Sequence, residues 1–257
     1  MYRDRNRNGK KISGSGCFDN LSLIYILLQG VLYVTFLFLD LTGTRAQLSN
    51  DIKFTVIILC FCYVLFFQKG ADKSILFYLR TALFFTVISD LCLLLLDYNL
   101  PGVCSFIIVQ QLYGLKLDYE GEPGRSPGKR FLVFITRLAV QAILTALVCV
   151  VLKALGVAME LLLVITVFYF LSIMTNVVRA IINGIRHKDM KGSRIFVIGM
   201  VLFLLCDINV GLFNMADYLS LPQALYHQLY TLSSVLMWTF YAPSQLLISL
   251  SSGRKTA

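Results

Sequence analysis

FLLCDINVGLFN at 203–214 and WTFYAPSQLLIS at 238–249 frame the stretch, Gly199 to Ser249, whose reading decides the fold. The first segment places Asp207 in an apolar helix; beyond a loop with Pro222, the second carries Trp238, Tyr241, Pro243 and Gln245. A carboxylate near the middle of a membrane-length segment costs roughly 2.5–3.5 kcal/mol on insertion scales, so it needs a reason. The arrangement recurs in LFFTVISDLCLLLLD at 83–97, with Asp90 in an apolar helix, Pro101 opening the next one, and Gln110 and Tyr113 along it. Two helices each hiding one acid point to a shared polar site, because paired carboxylates can be held in different protonation states.

Working outward, 58% of the residues are hydrophobic and only 14% charged, whereas soluble domains run near 25% charged. The chain therefore reads as an all-α membrane protein. About 20 apolar residues cross a bilayer, and eight runs qualify, near 21–41, 52–68, 75–96, 102–117, 131–152, 158–182, 195–215 and 224–250. The expected architecture is a bundle of eight transmembrane helices over 21–251. Residues 1–20 read as a basic, disordered tail able to touch anionic lipid. The first apolar run is too long for a signal sequence and no small-residue cleavage site follows it, so it is kept as a helix.

The net charge of +9 does not point to nucleic acid, because of where the cations fall. With the N-terminus placed in the cytoplasm, 20 of the 23 Lys and Arg lie on the cytoplasmic side, and only Arg45, Lys53 and Lys153 lie opposite. The positive-inside rule then puts both termini in the cytoplasm, and the plasma membrane is the expected location. The Gly, Pro and charge-rich segment DYEGEPGRSPGKR, 118–130, reads as a cytoplasmic loop near the midpoint. Cys60 and Cys62 face different sides of a helix and do not chelate; the seven cysteines read as small packing residues.

Helical spacing sorts the polar residues into stripes. Gly102, Phe106, Gln110, Tyr113 and Leu117 share one face; Tyr169, Ser172, Asn176, Arg179 and Asn183 share another. Asp207, Gly211 and Asn214 share a third, where the glycine lets a neighbour come close, and Ser234, Trp238, Tyr241 and Gln245 a fourth. Asp97 falls two turns beyond Asp90 on the same face, at the interface. Arg179 is expected to snorkel to the headgroups. Pro243 removes the bond to the carbonyl of Thr239, and that oxygen then needs another partner. The matched spacing of Asp90 with Asp97 and of Asp207 with Asn214 also raises the idea of two four-helix halves.

These blocks resemble the YhhN family of multi-pass membrane proteins, which includes the transmembrane lysoplasmalogenases. The resemblance is carried by Ser89–Asp90, by Gly199, Phe203, Cys206 and Asp207, by Tyr241 to Ile248 with Gln245, and by Gly102, Phe106, Gln110 and Tyr113. The chain departs from the family pattern at Gln110, where the family has histidine, at Ser244, where it has alanine, and at Cys206, where it has serine. The resemblance implies cleavage of the vinyl ether bond of a lyso ether lipid drawn from the membrane.

The residues fit that chemistry without a cofactor. Protonation of a vinyl ether at carbon needs an acid that holds its proton, and the resulting cation needs an anion nearby, the division of labour of two glycosidase carboxylates. Asp90 and Asp207 are the expected catalytic pair, and Gln110, Tyr113, Asn214, Tyr241 and Gln245 the expected substrate-binding groups. With only His187 and His227 in the chain, a three-histidine zinc site is impossible and no metal is expected. Two alternatives use the same aspartates: hydrogen bonds to Gln, Asn or Tyr that only fix helix register, and a proton-coupled carrier of a small or lipidic solute.

Overall fold

A bilayer offers no water to unmet N–H and C=O groups, so an apolar chain of this kind crosses it as helices. A computed structural model describes residues 15–68, 72–186, 191–215 and 223–251, with backbone alone at 15–19, 215 and 224–227. Among the described residues there are eight α-helices and no strand: α1 Ser15–Thr42, α2 Ala46–Cys62, α3 Lys73–Asp90, α4 Asn99–Gly121, α5 Pro127–Ala154, α6 Leu161–Arg186, α7 Lys191–Met215 and α8 Gln223–Leu250. Helices α1 to α7 are long and apolar enough to cross a membrane. The chain is thus an integral, multi-pass membrane protein. The eighth helix has 28 residues, with serines, Gln245 and Pro243 diluting its apolar character.

Several boundaries differ from those expected. α1 begins at Ser15, ahead of its apolar run and inside the segment read as tail, as helices do when they extend into the headgroup region. The segment 118–130 is not one loop. α4 continues to Gly121 and α5 opens at Pro127, leaving 122–126 as the connection. Proline at the first helical position needs no N–H partner, so α5 starts there at no cost. α3 ends at Asp90 and widens into a π-helical turn, Leu91–Leu95; the chain then leaves the helix, and Asp97 sits exposed in the connection at φ +54°. The face shared with Asp90 is lost because the wide turn breaks the 3.6-residue period.

The helices pack into a ring. α3 lies against α4 and α7 against α8; α4 packs on α6, α6 on α7, α2 on α3, and α8 on α2. Outside this ring, α1 covers α2 and α8 while α5 covers α6. The packing order of α1–α4 therefore recurs in α5–α8. Exposed Leu, Ile, Val and Phe cover the outer surfaces of α1 and α5, whereas Gln29, Gln110, Gln141, Asn176 and Gln245 are buried. This is the apolar-out, polar-in arrangement a membrane demands.

Two close contacts fix the ring. At Gly199 of α7 a Cβ would meet Ile248 Cγ1 at 2.8 Å and the Ser244 carbonyl oxygen of α8 at 3.1 Å. Gly211, where the sequence suggests close approach, has no neighbour among the described residues within 4 Å of where a Cβ would stand. Gly199→Ala forces α7 off the α8 backbone and costs about 1–3 kcal/mol; a thermal midpoint in detergent reads this, against an unchanged Gly211→Ala control. The second contact answers the need created by Pro243. Tyr33 of α1 donates its hydroxyl to the Thr239 carbonyl, 3.2 Å away, so the outer helix is tied to the break in α8.

Arg179 does not snorkel. It pairs with Asp118 and donates to the Gly114 carbonyl, while Arg137 of α5 reaches the other carboxylate oxygen of Asp118 at 3.2 Å. Two guanidinium groups neutralise a carboxylate that composition alone places in a loop, and α4 stays helical through it.

Candidate functional site

Asp90 is the last α-helical residue of α3 and is 5% exposed. Its carboxylate accepts a 2.7 Å hydrogen bond from the Tyr241 hydroxyl of α8. Beside it, the Ser89 hydroxyl donates to the Gly102 carbonyl at 2.5 Å, fixing α3 to the start of α4. Asp207 of α7 is half-buried and accepts a 2.7 Å bond from the Tyr169 hydroxyl of α6. Each acid thus has one phenol from a neighbouring helix.

The two phenols meet on one ring. Phe106 of α4 lies 5.8 Å from Tyr169 and 6.3 Å from Tyr241, centroid to centroid, and 5.8 Å from Phe203, which is itself 5.5 Å from Tyr241. The Phe106 ring meets Phe203 and Tyr241 edge-on and Tyr169 at a tilt, contacts that hold aromatic groups in fixed orientation. Asp90 and Asp207, 117 positions apart in the sequence, are therefore anchored to a single aromatic cluster inside the ring.

One to two turns further along α4, α6 and α8 lies a layer of amides. Asn176 donates to the Gln110 carbonyl at 2.6 Å and to its side-chain oxygen at 3.0 Å. Gln110 Nε2, the Tyr113 hydroxyl, Asn176 Oδ1 and Gln245 Oε1 are all buried without a hydrogen-bond partner among the described residues. Each such group costs about 1–3 kcal/mol when left unmet, so four together mark a place for water or a polar ligand.

Of the residues expected to form the site, Asp90, Asp207 and Tyr241 join the aromatic cluster, and Gln110, Tyr113 and Gln245 join the amide layer. Asn214 does neither: it is exposed and donates to the Val210 carbonyl of its own helix. Tyr169 and Asn176 were legible only as members of the α6 stripe; their partners lie on other helices, which stripe periodicity does not identify. Neither of two open surface hollows lies at the aspartates; the larger, about 500 Å³, is lined by Glu122, Gly124, Arg125, Ser126 and Lys129. Cys60, Cys62, Cys92, Cys104, Cys149 and Cys206 are free thiols. His187 and the His227 side chain lie outside the described residues.

The model of the YhhN family matches residues 50–252 of this chain, four of its helical blocks quoted above included. No curated protein and no solved structure matches it.

Proposed function

The chain belongs to the YhhN family, and from that premise we propose that it is a membrane-embedded hydrolase that cleaves the vinyl ether bond of a lyso ether lipid, with Asp90 and Asp207 as acid and base. One observation carries the reading: both carboxylates are held by phenols that pack on the same Phe106 ring.

A carboxyl proton moves to the β-carbon of the vinyl ether, forming a C–H bond and leaving an oxocarbenium ion at the carbon attached to oxygen. The other carboxylate stabilises that cation and takes a proton from the water that adds to it, giving a hemiacetal. The hemiacetal then loses its hydroxyl proton, the C–O bond to glycerol breaks, and the departing oxygen is protonated. The products are a fatty aldehyde and a glycerophospho-base. One carboxyl loses a proton as the other gains one, so the pair is restored by exchange. In a site closed to bulk water, the charge stabilisation is stronger than in solution. Gln110, Tyr113, Asn176 and Gln245 orient the water and the glycerol oxygens with the hydrogen-bonding capacity they leave unused. The apolar helix faces take the alkyl chain.

The same reading sets α8 across the membrane as an eighth span, with both termini cytoplasmic and the plasma membrane as location. The lopsided distribution of Lys and Arg supports this orientation.

A second reading, a proton-coupled carrier of a small or lipidic solute, draws on the polar groups that continue inward from Asp207 along α6, through Tyr169, Ser172 and Asn176 to the Arg179–Asp118 pair. Incubating purified protein in detergent with a lysoplasmalogen, alongside solute uptake into proteoliposomes, decides between the two. Aldehyde released above the protein-free rate supports the hydrolase. Uptake without aldehyde overturns it in favour of the carrier.

A further inference from the structure

Lys53 is a buried cation close to the site that this chemistry leaves unused. It lies in α2 and is 6% exposed, with its ammonium 2.8 Å from Asp40 of α1. The same ammonium stands 5.1 Å from the centre of the Trp238 ring and 5.8 Å from that of Phe36. Trp238 in turn is 5.2 Å edge-on from Tyr241, the phenol that holds Asp90. A continuous line thus runs from Asp90 through Tyr241 and Trp238 to Lys53 and Asp40.

We propose that Lys53, Asp40 and the Trp238–Phe36 wall form the subsite for a zwitterionic phospho-headgroup, with Lys53 taking the phosphate and Asp40 and the rings taking the cationic amine. This rests on the hydrolase reading for what happens at the other end of the lipid. Trp238 stands one helical turn from Tyr241, roughly 4.5 Å along α8, which is the scale of the glycerol that separates the ether from the phosphate. The aromatic wall already holds one ammonium, and a quaternary or primary amine suits the same ring faces.

Charge balance selects the class of headgroup. In the free protein Lys53 and Asp40 neutralise each other. A phosphate that draws Lys53 away leaves Asp40 as an unpaired, poorly solvated anion, unless the ligand brings its own cation. A zwitterion exchanges one ion pair for two; an anionic lipid leaves a carboxylate stranded. Asp40 also accepts from Ser49 at 2.5 Å, which fixes its orientation, and its side chain is 17% exposed against 8% for that of Lys53, so the pair opens on the Asp40 side.

Trp238 is the only tryptophan in the chain, so its fluorescence reports this wall directly. The probes are three saturated ethers that lack the vinyl bond and are not cleaved: a 1-O-alkyl lysophosphocholine, the corresponding phosphomonoester, and the headgroup-free alkylglycerol. Titrated into the full-length protein in a maltoside detergent, the phosphocholine ether is expected to shift Trp238 emission saturably and to bind about tenfold more tightly than the alkylglycerol, the scale of one charge-assisted contact. Lys53→Met is expected to abolish that preference while leaving alkylglycerol binding unchanged. Asp40→Asn is expected to bring the phosphocholine ether and the phosphomonoester to equal affinity, and Lys53→Arg to keep the wild-type order.

Equal affinities for all three ethers in the wild type, or a preference that survives in Lys53→Met, overturns the subsite. If Lys53→Met does not fold, the wild-type order of the three ethers together with Asp40→Asn decides. Binding and hydrolysis fail separately: an intact headgroup preference without aldehyde release refutes the chemistry alone, and aldehyde release without a preference refutes the subsite alone.

Discussion

Under the proposed hydrolase reading, Asp90→Asn and Asp207→Asn, made singly, are each expected to lower aldehyde release by roughly 10²–10⁴-fold, the range for loss of a general acid or base, while the protein remains folded in the membrane. Asparagine keeps the shape of the side chain and can still accept from Tyr241 or Tyr169, so both phenol contacts survive in the variants. What is lost is the capacity to carry a proton or a negative charge. The proposed mechanism uses the two acids as a unit, so the double variant is expected to fall little further than the worse single one. Turnover with the lysoplasmalogen is the measurement, and size-exclusion behaviour in detergent confirms folding. Normal hydrolysis by Asp90→Asn removes the pairing, and with it the acid–base reading.

Asp118→Ala carries the largest expected loss of stability, about 3–5 kcal/mol, the usual cost of leaving a buried charge without its partner. Arg137 is 9% exposed, and its guanidinium lies directly against Gly114, where even a Cβ would collide with it. With Asp118 gone, that guanidinium keeps long contacts to Gln111 and the face of the Phe134 ring, 5.4 Å away, but no anion. Helix α5, which lies outside the ring, also loses its charged tie to α4. The comparison is Arg125→Ala, whose partner Glu122 is 60% exposed on its side chain and whose removal costs about 0–1 kcal/mol. Thermal midpoints in detergent separate the two, and a loss at Asp118 no larger than at Arg125 contradicts the clamp.

The contrast between Asp118 and the two aspartates of the site shows where local sequence stops informing. Asp90 and Asp207 stand out because no charged residue lies within six positions of either, so hydropathy alone marks them. Asp118 is surrounded by Lys, Glu, Gly and Pro, which is how a loop looks. Its partners lie 19 and 61 positions away, and nothing local announces them. Pro243 is the opposite case. Its chemistry requires a donor for the Thr239 carbonyl whatever the fold, and only the identity of that donor, Tyr33, depended on packing. Gly199 and Gly211 occupy the same helix with the same propensity, yet among the described residues Gly199 meets a neighbouring backbone and Gly211 does not.

The sequence by itself determined that this chain is helical, that it lies in a membrane, and that two acids sit inside helices long and apolar enough to cross one, because those properties follow from local apolarity and 3.6-residue spacing. Periodicity says which residues share a face, but not which helix that face meets. The tertiary structure decided that Tyr169 holds Asp207 as Tyr241 holds Asp90, that Phe106 joins the two, and that Lys53 rests against Trp238. Those pairings depend on the order in which the helices close their ring, a long-range property that local spacing does not encode.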